Sequence, residues 1–198
     1  MAQSEDKKSQ ILKAATSEFL AKGLDASSMH RIAELAQVSK RTLYKYYPNK
    51  DSLYAALIDE LLNKVCGLPE LEFVKDVPIK KQLETIVENK IELFMSPLFL
   101  EMSKIVLGEM MKSRRPTDEQ LLRMSLTESG LANWVEAGKK AGVITSTLTS
   151  EKIVGQFHSI LKGQVFYPVL FYFSDTKLID TEDVKRTTVD FFLNLFCR

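Results

Sequence analysis

The chain has 198 residues, enough for one sizeable domain or for a small domain joined to a medium one. Hydrophobic residues make up 45%, ample for a buried core, which excludes a disordered or fibrous chain. Lys and Arg total 27 against 26 Asp and Glu, so overall charge gives no warrant for a nucleic-acid partner and only local clustering can.

The elements read helical from end to end. Ser9 to Ala21 carries Ile11, Leu12, Ala15, Phe19 and Leu20 at helical spacing, and Gly23 follows as a stop. Ser27 or Ser28 caps a second helix with Met29, Ile32, Ala33 and Leu35 on its apolar face. Gln37-Val38 is a turn, Ser39 opens helix three and Pro48 ends it. Asn49 caps helix four, whose buried stripe is Leu53, Leu57, Ile58, Leu61 and Leu62. Gly67 to Pro78 reads as a connection between domains, so residues 1–66 and 67–198 are the expected units.

Beyond the connection come helices over Ile79 to Met95 and Leu98 to Lys112, then an Arg114-Arg115-Pro116 loop. Thr117 with Gln120 has the form of a capping box, opening a helix that is expected to run to about Lys140 and stop at Gly142. Thr149 to Tyr172 reads as one long helix kinked at Pro168, and Asp180 to Phe196 as the last. The expected fold is all-α with about nine helices: an N-terminal three-helix unit and a larger C-terminal bundle.

Chemistry concentrates in residues 39–51. Lys40, Arg41, Lys45 and Lys50 share this stretch with Tyr44, Tyr46 and Tyr47. A short cationic helix is by itself usually a solvated face. Here it follows another short helix across a tight turn, which is the pattern of a DNA-binding helix-turn-helix. Leu43 and Tyr47 read as core residues of that unit, and Ser39 serves as an N-cap with or without DNA.

The segment Ile11-Leu12-Lys13-Ala14-Ala15, then Phe19, Gly23, Ser27-Ser28, Ile32-Ala33, Val38-Ser39, Thr42-Leu43-Tyr44, Tyr46-Tyr47 and Asn49-Lys50-Asp51-Ser52-Leu53 resembles the TetR family of bacterial transcriptional regulators. Two positions depart from the pattern: many members carry Gly where Gln37 and Arg41 stand. Gln37 is therefore expected to take a left-handed conformation at modest cost. The resemblance implies a homodimer on double-stranded operator DNA, with Ser28, Ser39, Lys40, Arg41, Thr42, Tyr44, Lys45, Tyr46 and Lys50 as the contact residues. Lys50, Ser28 and the tyrosines are expected on phosphates, Arg41 on a guanine and Thr42 on a thymine methyl.

The C-terminal part carries composition rather than motif. Phe94, Met102, Met124, Trp134, Phe157 and Gln164 are candidates for lining a pocket for an apolar or amphipathic effector, although each also reads as packed core. Phe166, Val169, Leu170, Phe173, Phe191, Phe192 and Leu195 exceed what one apolar stripe needs and are candidates for a dimer interface. His30 and His158 have no Cys or Asp at metal spacing, so neither metal nor cofactor is expected. No Gly-rich phosphate loop, HExxH or GxSxG appears, which leaves a small helical ligand carrier or enzyme only as the alternative. The polar first ten residues and the short apolar runs lead to the expectation of a cytoplasmic protein with no membrane partner.

Overall fold

The computed structural model describes residues 2–66, 68, 72–127, 129–171 and 175–197. Among them the chain is helical throughout, with an isolated β-bridge between Ile144 and Cys197 in place of any strand. It forms two compact units. Unit 1 is Met1–Asn63 with Glu101–Leu121, and unit 2 is Lys64–Leu100 with Leu122–Arg198. The first junction lies between Asn63 and Lys64, and the return of Glu101–Leu121 to unit 1 has no counterpart in the sequence reading.

Unit 1 opens with α1 (Ala2–Ala26), interrupted at Gly23, whose φ of 76° and ψ of 162° leave the helical region that a Cβ would favour. Then come α2 (Met29–Leu35), α3 (Lys40–Tyr46) and α4 (Lys50–Cys66). Ile11, Ala15, Phe19 and Leu24 of α1 meet Ile32, Leu43, Leu53 and Leu57 in a core with almost no accessible surface. Caps hold the short helices in place: Ser28 and Ser39 accept from Arg31 N at 3.4 Å and Thr42 N at 3.0 Å.

The second stretch of unit 1 closes over α4. α6 (Pro97–Met111) enters it at Glu101, and Tyr54 Oη donates to the Val106 carbonyl at 3.3 Å. The capping box forms as expected: Thr117 N donates to Gln120 Oε1 at 3.1 Å and Gln120 N to Thr117 Oγ1 at 3.2 Å. The same Gln120 amide then donates to the Ala55 carbonyl and to Asp59 of α4.

Unit 2 holds α5 (Ile79–Met95), α8 (Ser129–Lys140), α9 (Ser150–Leu161), α10 (Tyr167–Leu170) and α11 (Thr181–Phe196). The helix expected to run to Lys140 is two helices. α7 (Asp118–Leu126) ends and α8 begins at Ser129. Ser125, Thr127 and Ser129 each turn a hydroxyl onto the carbonyl three residues back, competing with the backbone ladder where it breaks. The single helix expected over Thr149 to Tyr172 is also interrupted. A π-turn over Lys162–Phe166 precedes Pro168, with Tyr167 N–H bonded to the Lys162 carbonyl five residues back. Proline has no N–H to give to Gln164, and the wider turn absorbs the missing bond. Tyr172 and Phe173 lie outside the described residues.

Candidate nucleic-acid interface

The interface is built on the turn between α2 and α3. Ala36 and Gln37 close α2 through bonds to the Ile32 and Glu34 carbonyls, and Val38 N reaches back to the Ala33 carbonyl at 3.0 Å. This closure needs a left-handed residue, and Gln37 supplies it with φ of 52°. Ser39 is extended at φ of −67° and ψ of 151°, and starts α3 with its side chain on Thr42 N. Leu43 then faces wholly inward, and Tyr47 is buried behind it. That register sends Lys40, Arg41, Tyr44 and Lys45 outward, with Tyr44 half exposed at 50%. Among the described residues no carboxylate pairs with Lys40, Arg41 or Lys45, and α3 contains no acidic residue.

The expected contact residues lie at the start of α2, on α3 and at the start of α4, and not all are in the same state. Ser28 is exposed and caps α2, while its own N–H donates to the buried Glu18 at 3.2 Å. Thr42 is half-buried, its hydroxyl 2.8 Å from Ser39 Oγ, and Tyr46 is half-buried as well. Lys50 already has work within the protein. Its ammonium donates to the Asp25 carbonyl at 2.5 Å and the Ser27 carbonyl at 3.1 Å, capping the electronegative end of α1. A phosphate contact by Lys50 thus shares a side chain with the α1–α4 junction.

An arginine that sequence reasoning treated only as loop lies behind this surface. Arg114 pairs with Asp51 of α4 and Asp25 at the end of α1, each at 2.5 Å, and its Nε stands 3.1 Å from the buried Glu109 of α6. Burial works against the guanidinium, but Asp25, Asp51 and Glu109 hold its pKa above the ordinary value. The pairing sets one guanidinium against Asp25 and Asp51, both of which stay exposed, and against the buried Glu109. No spacing signal in the sequence connects positions 25, 51, 109 and 114.

Two family models cover most of the chain. One, described as bacterial regulatory proteins of the tetR family, matches residues 11–57, and the other, described as the AefR-like transcriptional repressor C-terminal domain, matches residues 81–198. The chain belongs to the TetR family of transcriptional regulators. The HTH-type transcriptional regulator RutR of Escherichia coli (strain K12) is 30% identical over 142 residues, which are 69% of this chain and 66% of that relative's length. A TetR-family regulator from Pseudomonas syringae pv. tomato str. DC3000 superposes with a TM-score of 0.77 at 25% identity over 96% of each chain. The flavonoid-responsive regulator FrrA superposes with a TM-score of 0.68 at 25% identity over 95% of each. The TetR resemblance read from residues 7 to 60 therefore extends over both units.

In unit 2 several of the pocket candidates are packed as core, the second of the two readings their sequence allowed. Trp134 is 1% exposed, edge-on to Phe73 and Phe192, with its indole N–H donated to Gln82 Oε1 at 3.2 Å. Phe157 and Phe94 are buried in ring clusters with Phe192 and with Phe99 and Phe166. Met102 is buried in unit 1, Met124 is exposed, and Gln164 donates to Thr188 Oγ1 at 3.3 Å. None of these six lines the cavity of about 200 Å³ that opens in unit 2 against Ile86, Lys90 and Leu131. Of the interface candidates, Phe192 has no accessible surface and Phe166, Val169 and Leu170 are buried within one copy. The outward apolar surface near them is Tyr167, Phe171 and Leu195, with Phe191 half-buried. Among the described residues no helix is long and apolar enough to cross a membrane.

Proposed function

We propose that the protein is a repressor that binds a pseudo-palindromic operator as a homodimer and is released by a small apolar or amphipathic effector held in unit 2. The observation that carries this reading is the face of α3, where Lys40, Arg41 and Lys45 stand exposed beside Tyr44 and, among the described residues, no carboxylate neutralises them. A protein spends no such cluster on its own stability, whereas a phosphate backbone uses each charge. Arg41 reads a guanine edge, Thr42 meets a thymine methyl, and Ser28, Tyr44, Tyr46 and Lys50 position the unit on phosphates. A two-fold dimer fits half-sites about 34–36 Å apart. Leu195, Phe171 and Tyr167, at 53%, 49% and 43% exposure, form the apolar surface suited to pairing. An effector moves the equilibrium only if it prefers the state that releases DNA. The flavonoid response named for FrrA supports a small-molecule effector of some kind.

Fluorescence anisotropy with the DNA upstream of the protein's own gene tests the reading. Lys45→Ala should weaken binding to that DNA and to scrambled DNA alike, and lower the salt slope by about one. Unchanged affinity for both would remove α3 from the interface. Catalytic turnover without DNA binding would favour the ligand carrier or enzyme. Sedimentation at micromolar concentration should show a dimer, and Leu195→Glu a monomer without operator affinity.

A further inference from the structure

The end of α6 aims one side chain. Ser113, with φ of 71°, takes the left-handed conformation that closes many helices and that glycine adopts most readily. Its N–H reaches the Met110 carbonyl, and the next N–H, that of Arg114, reaches the Glu109 carbonyl, both at 3.0 Å. This double closure ends α6 and sets the direction in which Arg114 leaves it. A serine held there is strained, and strained backbone persists where surrounding contacts over-determine it. Arg114 makes such contacts. Its Nη2 meets Asp25 and its Nη1 meets Asp51, each at 2.5 Å, while Nε stands 3.1 Å from Glu109. Asp25 and Asp51 are 70% and 75% exposed, and pairs so open to water add little to stability. A guanidinium does fix geometry, because its donors lie in one rigid plane. The segments it joins carry two candidate phosphate contacts. Asp25 stands three residues before Ser28, and Asp51 follows Lys50. The same connection is held by Lys50, on the Asp25 and Ser27 carbonyls, and by Glu18, which accepts the Ser28 N–H.

We propose that Arg114 is a positioning residue for operator binding: its guanidinium ties the end of α1 to the start of α4 and so fixes the separation of Ser28 and Lys50. The proposal rests on the reading of unit 1 as operator-binding and adds a residue that acts through those two. Two simpler roles predict something else. Acting through its charge alone, Arg114 would strengthen binding to every DNA sequence alike, and any cation would replace it. Acting on stability alone, its loss would lower every DNA affinity by the same factor. A fixed separation matters on the operator, where phosphate contacts must stay in register with base contacts, and matters little on random sequence.

Anisotropy of the full chain with the DNA upstream of its own gene and with scrambled DNA gives the ratio of the two affinities. Arg114→Met should lower that ratio at least about tenfold, the scale of one mismatched base pair. Arg114→Lys should return scrambled-DNA binding to that of the unmodified protein and leave the ratio low, since lysine keeps the charge without the planar fork. Asp25→Ala combined with Asp51→Ala removes two negative charges, so it should tighten scrambled-DNA binding and still lower the ratio. A ratio unchanged in Arg114→Met, or restored by Arg114→Lys, would overturn the proposal. Should Arg114→Met fail to fold, the double alanine variant, changed only at exposed positions, decides: equal tightening on both DNAs would overturn the positioning role. The two readings fail separately. No preference for the upstream DNA in the unmodified protein refutes the operator reading and the proposal with it. A preference that survives Arg114→Met refutes the positioning role and leaves the operator reading standing.

Discussion

Unit 1 and unit 2 are built to different tolerances. In unit 1 nearly every conspicuous residue has a position-specific duty: Ser39 caps, Gln37 turns, Leu43 anchors, and Lys40, Arg41 and Lys45 face out. In unit 2 the conspicuous residues are interchangeable in kind, with Trp134, Phe157, Phe192 and Phe196 filling one interior through edge-on contacts of 5.0 to 6.1 Å. The contrast follows from the partner. B-DNA has a fixed groove and phosphate spacing, so its reader needs set residues at set intervals. A bundle core needs only volume and apolarity.

The largest effect should come from unit 2. Phe192→Ala should cost about 3–5 kcal/mol, because Phe192 has no exposed surface and three aromatic neighbours. Trp134, the single tryptophan, reports that unit by fluorescence during urea unfolding, while circular dichroism reports both units. A loss of helix far exceeding unit 2 at the new midpoint would show the two units unfolding as one and erase the contrast.

His158 should give unit 2 its own acid limit. Its folded pKa, about 3, lies below the ordinary 6.5, so the unfolded chain takes up the proton first. The associated stability is complete above about pH 6.5 and is lost as pH falls toward 3, on the order of a few kcal/mol. His158→Gln should flatten the pH dependence of the tryptophan transition across that window. An unchanged slope would mean that other groups set it.

Arg41→Ala should cost about 1–3 kcal/mol at one base pair while leaving random-sequence binding nearly intact. Anisotropy against single-base operator variants measures this, and an equal loss on every sequence would make Arg41 a phosphate contact. The smallest effect concerns backbone strain. Gln37→Gly should stabilise unit 1 by up to about 1 kcal/mol, since φ of 52° costs a side chain that glycine lacks. A lower urea midpoint would mean that the Gln37 side chain contributes more than the strain removes.

Local patterns were legible in the sequence wherever one residue type has one geometric use. The left-handed Gln37, the Thr117–Gln120 box, the Asn49 cap and the Leu43 anchor all follow from neighbours within a few positions. Features set by distant residues were not. Nothing local announces that Lys50 will reach the Asp25 carbonyl, or that Arg114 will gather Asp25, Asp51 and Glu109. Phe192 and Leu195 look alike in the pattern of α11, yet one is fully enclosed and the other half exposed, because only packing decides which side of the helix is filled. The π-turn before Pro168 was legible as a disturbance but not as its form.

α6 begins in unit 2 and passes into unit 1 at Glu101, so the DNA-reading unit is discontinuous along the chain. A ribosome delivers residues in order, at roughly 5–20 per second. Asn63 therefore emerges several seconds before Leu121, with residues 64–100 made in between. Through that interval Tyr54 has no Val106 carbonyl to meet, and Ala55 and Asp59 have no Gln120. The helices α1 to α3 are synthesised early and their unit is completed late, so premature termination anywhere before Leu121 leaves unit 1 without the segment that closes it.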